Sequence, residues 1–128
     1  MRDPEGVFER ILVGTDGSET ATRAVDRAVE LAKACGASVT VLCAGPAALT
    51  AEVLGRESAR LDIDVETIAF DRDPASAIVE AAAGGAFDLV VLGNQGMTGP
   101  DRFQTLGSVP NKVSHRLPVS LLIVRTVD

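Results

Sequence analysis

The segment Leu89-Val90-Val91-Leu92-Gly93-Asn94-Gln95-Gly96-Met97-Thr98-Gly99-Pro100-Asp101-Arg102-Phe103-Gln104-Thr105-Leu106-Gly107-Ser108-Val109 decides how the chain is read. Its first four residues form a short apolar run, which predicts a buried strand. Ser108-Val109-Pro110 predicts a helix start. Between them lies a glycine-rich loop whose bare backbone can approach a ligand closely and take positive φ. The helix start adds unpaired N–H donors and the positive end of a dipole. A strand end, a glycine loop and a helix start in that order form a cradle for an anion, most often phosphate. The competing reading is a surface loop whose glycines only relieve turn strain.

Working outward, the same grammar recurs. Phe8 to Thr15 contains Ile11-Leu12-Val13 and ends in Gly14-Thr15-Asp16-Gly17, which predicts a central parallel strand. Ser18 can cap a helix carrying Ala21, Ala24, Val25, Ala28, Val29 and Ala32 at helical spacing, with Gly36 as its stop. Ser38 to Cys43 predicts a second strand. After Gly45-Pro46, Leu49, Val53, Leu54 and Leu61 suggest another helix. Ile63 to Phe70 alternates apolar and polar residues and is placed at a sheet edge.

Asp73-Pro74 opens a third helix with an acidic cap and proline at its first position. Ile78, Val79, Ala81 and Ala82 form its buried stripe, and Gly84-Gly85 ends it. The glycine loop then leads into a short helix from Ser108 to about His115, and Leu121 to Val124 is the last strand. Strands alternating with helices imply a parallel sheet covered on both faces. Ligands of such sheets sit outside the carboxyl ends of the strands. Gly14 and Gly93 belong on that edge, facing each other if the first and fourth strands are neighbours.

Bulk composition narrows the function classes. The 128 residues suit one domain, 1–128, with a real core. With 12 Lys+Arg against 18 Asp+Glu the net charge is −6, which opposes non-specific nucleic-acid binding and docking on anionic membrane. Four Phe without Trp or Tyr leave no stacking platform for single strands. No apolar run is long enough to cross a bilayer, and the first residues lack a signal-peptide pattern. Cys35 and Cys43 form no C-x-x-C pair, so a reducing cytoplasm is expected. The chain contains neither G-x-x-x-x-G-K-[ST] nor a G-x-G-x-x-G after its first strand, which excludes a P-loop and a dinucleotide fingerprint. A phosphoacceptor receiver domain would want paired acids after the first strand and a lysine after the fifth, where this chain has Thr15-Asp16 and Arg125-Thr126.

Over nearly its whole length the chain resembles the universal stress protein family. The resemblance rests on Ile11-Leu12-Val13-Gly14-Thr15-Asp16-Gly17-Ser18, on Phe87-Asp88 through Gly93, on Gly107-Ser108-Val109, and on Pro118-Val119-Ser120-Leu121-Leu122-Ile123-Val124-Arg125. The nucleotide-binding branch carries G-x2-G-x9-G-[ST]. Gly93, Gly96, Gly107 and Ser108 match, although ten residues separate Gly96 from Gly107. The resemblance implies a three-layer α/β/α sandwich with a five-stranded parallel sheet of order 3-2-1-4-5. It also implies a homodimer through the last strand (Leu121, Ile123), and an adenine nucleotide of ATP type, with AMP or cyclic AMP as alternatives.

Carried across, Gly14, Thr15 and Asp16 would face the adenosine, with Ala44 against the adenine. Gly93, Asn94 and Gly96 would wrap the phosphates, helped by Gly107, Ser108 and Val109 at the helix start, and Leu92 and Met97 would complete the nucleotide-binding set. Mg or Mn would enter only with bound nucleotide, Asp16 being the acid nearest to it. The function so implied is a cytoplasmic, nucleotide-binding regulator of stress response that binds and does not turn over its ligand. Two alternatives stay open: a slow metal-dependent ATPase using Asp16, and a ligand-free dimeric scaffold. His115, Cys35 and Cys43 fit ordinary structural roles better than chemical ones.

Overall fold

A computed structural model describes residues 7–94 and 108–125. Strands and helices alternate as β1 (Arg10–Gly14), α1 (Glu19–Cys35), β2 (Ser38–Ala44), α2 (Ala47–Arg60), β3 (Glu66–Phe70), α3 (Pro74–Gly84), β4 (Leu89–Gly93), α4 (Ser108–Ser114) and β5 (Ser120–Val124). The five strands form one sheet in the order β3-β2-β1-β4-β5, and every neighbouring pair is parallel. In β1, Ile11 lies beside Val39 and Leu89, and Val13 beside Val41 and Val91.

Alternation along the strands divides the core into two layers. Ile11 and Val13 face α1 and α2, where they join Val25, Ala28, Val39, Val41 and Val53. Leu12 faces the other way, among Leu42, Ile78, Val90, Phe87 and Val113. All three β1 residues are fully buried, because a central parallel strand covered on both faces leaves no room for polar alternation. Asp88 fixes the opposite rim of the sheet by accepting the Glu9 and Arg10 N–H groups at 2.8 and 3.0 Å. The Arg10 guanidinium lies 5.3 Å from the Phe87 ring centre.

The helix ends follow their sequence signals. Ser18 Oγ accepts the Ala21 N–H and opens α1, and Gly36, in the left-handed region at φ 71°, closes it. Asp73 accepts the Ser76 N–H and Pro74 occupies the first helical position of α3.

Four local expectations are corrected. β3 begins at Glu66, so Ile63 and Val65 pack against the core from the preceding loop. Leu49 is 49% exposed: the buried face of α2 is Thr50, Val53, Leu54 and Glu57, and Leu49 precedes that stripe by one residue. Leu61 lies at the C-cap, outside α2. In α3, Ala75 and Ala77 are buried where Val79 is half-buried, since Ile78 centres the stripe. The short helix α4 runs Ser108–Ser114, in line with the expected end at about His115.

Glu57 gave no sequence signal for burial, yet it is 2% exposed. Arg60 makes this tolerable, donating from Nε and Nη2 to its two oxygens at 3.0 and 2.9 Å while Nη1 reaches Asp26 of α1 at 2.6 Å. The paired carboxylate, first of all, holds the Arg60 guanidinium pKa above its ordinary value.

Candidate functional site

The site grows from the carboxyl ends of β1 and β4. Beyond β1, the Thr15 N–H donates to the Leu42 carbonyl at 2.9 Å and prolongs the pairing with β2 by one residue. The chain then turns sharply. Thr15 Oγ1 accepts the Gly17 N–H at 3.0 Å, and Asp16 Oδ1 accepts the Ser18 N–H at 2.9 Å. Gly17 sits at φ +83°, where a Cβ would come within 2.7 Å of Val53 Cγ2, so both conformation and space demand glycine. Beyond β4, the Asn94 N–H donates to the Val124 carbonyl at 2.9 Å and ties the exit of β4 to β5.

Because β1 and β4 are parallel neighbours with Val13 opposite Val91, Gly14 and Gly93 emerge on the same rim. A cleft of about 160 Å³ opens there. Seven of the twelve residues implied by the family resemblance line it: Gly14, Thr15, Asp16, Ala44, Leu92, Gly93 and Val109. Asn94 is beyond its lining. Gly96, Met97 and Gly107 lie outside the described residues, as does the Ser108 side chain, although the Ser108 backbone begins α4.

Six further lining residues escaped the sequence reading: Ser18 and Ala21 of the α1 entry, Leu42, Pro74, Ile78 and Pro110. Periodicity could have found several of them. Leu42 and Ala44 are two apart on one strand and share a face. Ser18 and Ala21, and likewise Pro74 and Ile78, stand one helical turn apart.

Gly14 gives the cleft its depth. A Cβ there would meet Leu92 Cδ2 at 2.9 Å and Ile78 Cδ1 at 3.1 Å. Leu42, Ala44, Ile78, Leu92 and Val109 make the walls largely apolar, while Thr15, Asp16 and Ser18 concentrate polarity at one side. α1 and α3 both direct their N-terminal turns at the cleft, through Ser18 and Pro74, which favours negative charge nearby. The lining holds no Lys, Arg or His among the described residues.

Among the described residues, charge around the cleft is carried by few groups. Asp16 is exposed. Burial, and after it the Asp16 charge, push the Cys43 thiol pKa up. The Ser76 backbone N–H holds the Asp73 carboxyl below its ordinary value, with a smaller contribution from Lys112. Among the described residues no three His, Cys, Asp or Glu side chains gather as a metal site. Among the described residues Asp16 is the lone lining carboxylate, and one of its oxygens already accepts a backbone N–H. That donor set fits a divalent ion carried in by phosphate oxygens, with Asp16 as a supplementary ligand.

Known proteins agree with this architecture. YxiE, a universal stress protein of Bacillus subtilis, is 29% identical over 93% of this chain and 100% of its own length. Rv1636, a universal stress protein of Mycobacterium tuberculosis, is 32% identical over 93% of this chain and 97% of its own. The crystal structure of a universal stress protein in complex with cAMP superposes with a TM-score of 0.75 at 35% identity, covering 94% of this chain and 98% of that one. The sequence model of the universal stress protein family matches residues 8–53 and 45–125. With nearly the whole described chain matched by the family model and a relative 32% identical over 93% of the chain, this protein belongs to the universal stress protein family.

Proposed function

We propose that this protein binds an adenine nucleotide in the cleft at the β1 and β4 ends and acts as a cytoplasmic regulator in stress response. The observation that carries this reading is the juxtaposition of Gly14 and Gly93 on one rim, above an apolar cleft with polar groups on one side. An apolar slot beside Ala44 suits a purine, Thr15 and Asp16 suit ribose hydroxyls, and backbone donors near Gly93 and the α4 start suit phosphate. Gly96, Met97, Gly107 and Ser108 complete the phosphate side in this assignment, with Asn94 at its margin. ATP is the reference ligand, with Mg or Mn arriving on its phosphates.

Cyclic AMP is a second reading with its own support. The described lining carries a carboxylate and no cation, which favours one phosphate charge over three or four, and a relative 35% identical was crystallised with cAMP. The protein acts in this proposal through a twofold dimer. β5 is a sheet edge whose Leu121 and Ile123 are only half-buried within one chain, and antiparallel pairing with a second copy would satisfy its backbone and cover them.

Purified protein has no Trp or Tyr to absorb at 280 nm, so a co-purified nucleotide is visible as a band near 260 nm. Mass spectrometry of acid-released material names it, and calorimetry with ATP and with cyclic AMP ranks the two. No nucleotide in the preparation and no heat at millimolar concentration of either ligand would refute the proposal. Sedimentation of Ile123→Lys tests the dimer: an intact dimer in that variant rules out pairing through β5.

A further inference from the structure

We propose that Arg56, which lies outside the cleft, is a positioning residue for it: its guanidinium clamps the Thr15–Ser18 turn in the conformation that presents Asp16 to the ligand. The inference rests on the nucleotide-binding reading above. Arg56 Nη2 donates to the Gly17 carbonyl at 2.8 Å. It also lies where a Gly17 Cβ would be 2.9 Å away, so the guanidinium covers the bare glycine as well as bonding to it. The Thr15 N–H bond to Leu42 ties only the first residue of the turn to the sheet, and its side-chain contacts are short-range: Thr15 Oγ1 accepts the Gly17 N–H and Asp16 Oδ1 accepts the Ser18 N–H. Each spans two residues, so neither ties Gly17 to another element, and both open more readily once Gly17 is released. The Arg56 bond instead crosses 39 positions to a rigid helix.

That helix is itself anchored. Its buried face, Thr50, Val53, Leu54 and Glu57, seats it on the core, and the part-exposed Arg60–Asp26 contact adds little to that. The turn is therefore held against a fixed body, which lowers the ordering needed when ligand arrives. α2 follows β2 directly after Ala44 and Gly45-Pro46, so the helix that holds Gly17 also continues a strand whose end, Leu42 and Ala44, lines the cleft.

Three variants test this: Arg56→Ala, Arg56→Lys and, as control, Asp26→Ala, which loosens the α1–α2 link without touching Gly17. Calorimetry with ATP and cyclic AMP should show Arg56→Ala weakening binding about three- to tenfold, the range for an exposed charge-assisted hydrogen bond. Arg56→Lys should recover part of the loss, and Asp26→Ala should stay within about twofold of wild type. Hydrogen exchange on ligand-free protein should accelerate at Gly17 and Ser18 in Arg56→Ala, with α3 amides unchanged. Unchanged exchange at those amides overturns the proposal, as does unchanged affinity in Arg56→Ala or an equal loss in Asp26→Ala. If wild-type protein binds neither nucleotide, the nucleotide reading fails, and the exchange measurement alone decides whether Arg56 clamps the turn.

Discussion

Arg60→Ala should destabilise the fold through Glu57 and not through the surface. Glu57 is 2% exposed, and two Arg60 nitrogens occupy its oxygens. Removing them leaves a buried carboxylate without a cation. Breaking a buried pair in this way costs about 3–5 kcal/mol when both partners are dry. The Arg60 side chain is 34% exposed, so water can enter where it stood, and about 2–3 kcal/mol is the expected loss. Asp26 loses a partner too, but its side chain is 47% exposed, and such a contact contributes less than about 1 kcal/mol. For 128 residues the unfolding entropy near Tm is about 0.27 kcal/mol/K, which converts the loss to a fall of about 7–11 °C.

Thermal unfolding by circular dichroism at pH 7 measures it. Adding Glu57→Leu to Arg60→Ala should recover more than half of the fall, because position 57 continues the apolar stripe of Val53 and Leu54 and no buried charge remains. A loss below about 2 °C for Arg60→Ala, or no recovery in the double variant, would refute the idea that a buried carboxylate is what Arg60 neutralises.

Three other outcomes are expected. Gly14→Val should reduce nucleotide affinity at least tenfold with a stability loss of about 1–3 kcal/mol, since the new side chain meets Leu92 and Ile78 and fills the cleft floor; calorimetry and thermal melts read the two separately. Cys43 should resist alkylation in native protein at pH 8, because burial and the Asp16 charge hold its pKa up; peptide mass spectrometry after timed N-ethylmaleimide treatment checks this, with Asp16→Asn lowering only the smaller of the two contributions. Asp73 has a lowered folded pKa, led by its bond from the Ser76 N–H, so its stabilisation is complete above its ordinary value of 3.8 and is lost as pH falls through the folded value. Asp73→Asn keeps an N-cap that does not titrate, and its Tm should fall less steeply than wild type in melts taken below about pH 4.

Much of the fold was legible because each element carries a local cause. Ile11-Leu12-Val13 and Leu89 to Leu92 read as two-faced strands since nothing in them is polar, and Ser18, Gly36, Asp73 and Pro74 mark helix ends through bonds made within a few residues. Legibility failed where the cause is distant. Nothing near Glu57 announces that α1 brings Asp26 within reach of Arg60. Leu49 and Glu57 exchange the fates their polarity suggests, because the orientation of α2 on the sheet chooses its buried stripe. The cleft shows the same division: strand-end residues such as Gly14 and Gly93 were foreseen, whereas Pro74 and Ile78 join it only because α3 packs behind β1.

By itself the sequence determined the alternation of strands and helices, their capping residues and the parallel character of the sheet, since periodicity and end-capping act over three or four positions. Tertiary structure alone decided which faces dock, how deep the cleft beneath Gly14 is, and how Arg56 reaches Gly17 from another helix. Those depend on side chains far apart in the chain meeting at fixed distance, and only the packed sheet sets that distance.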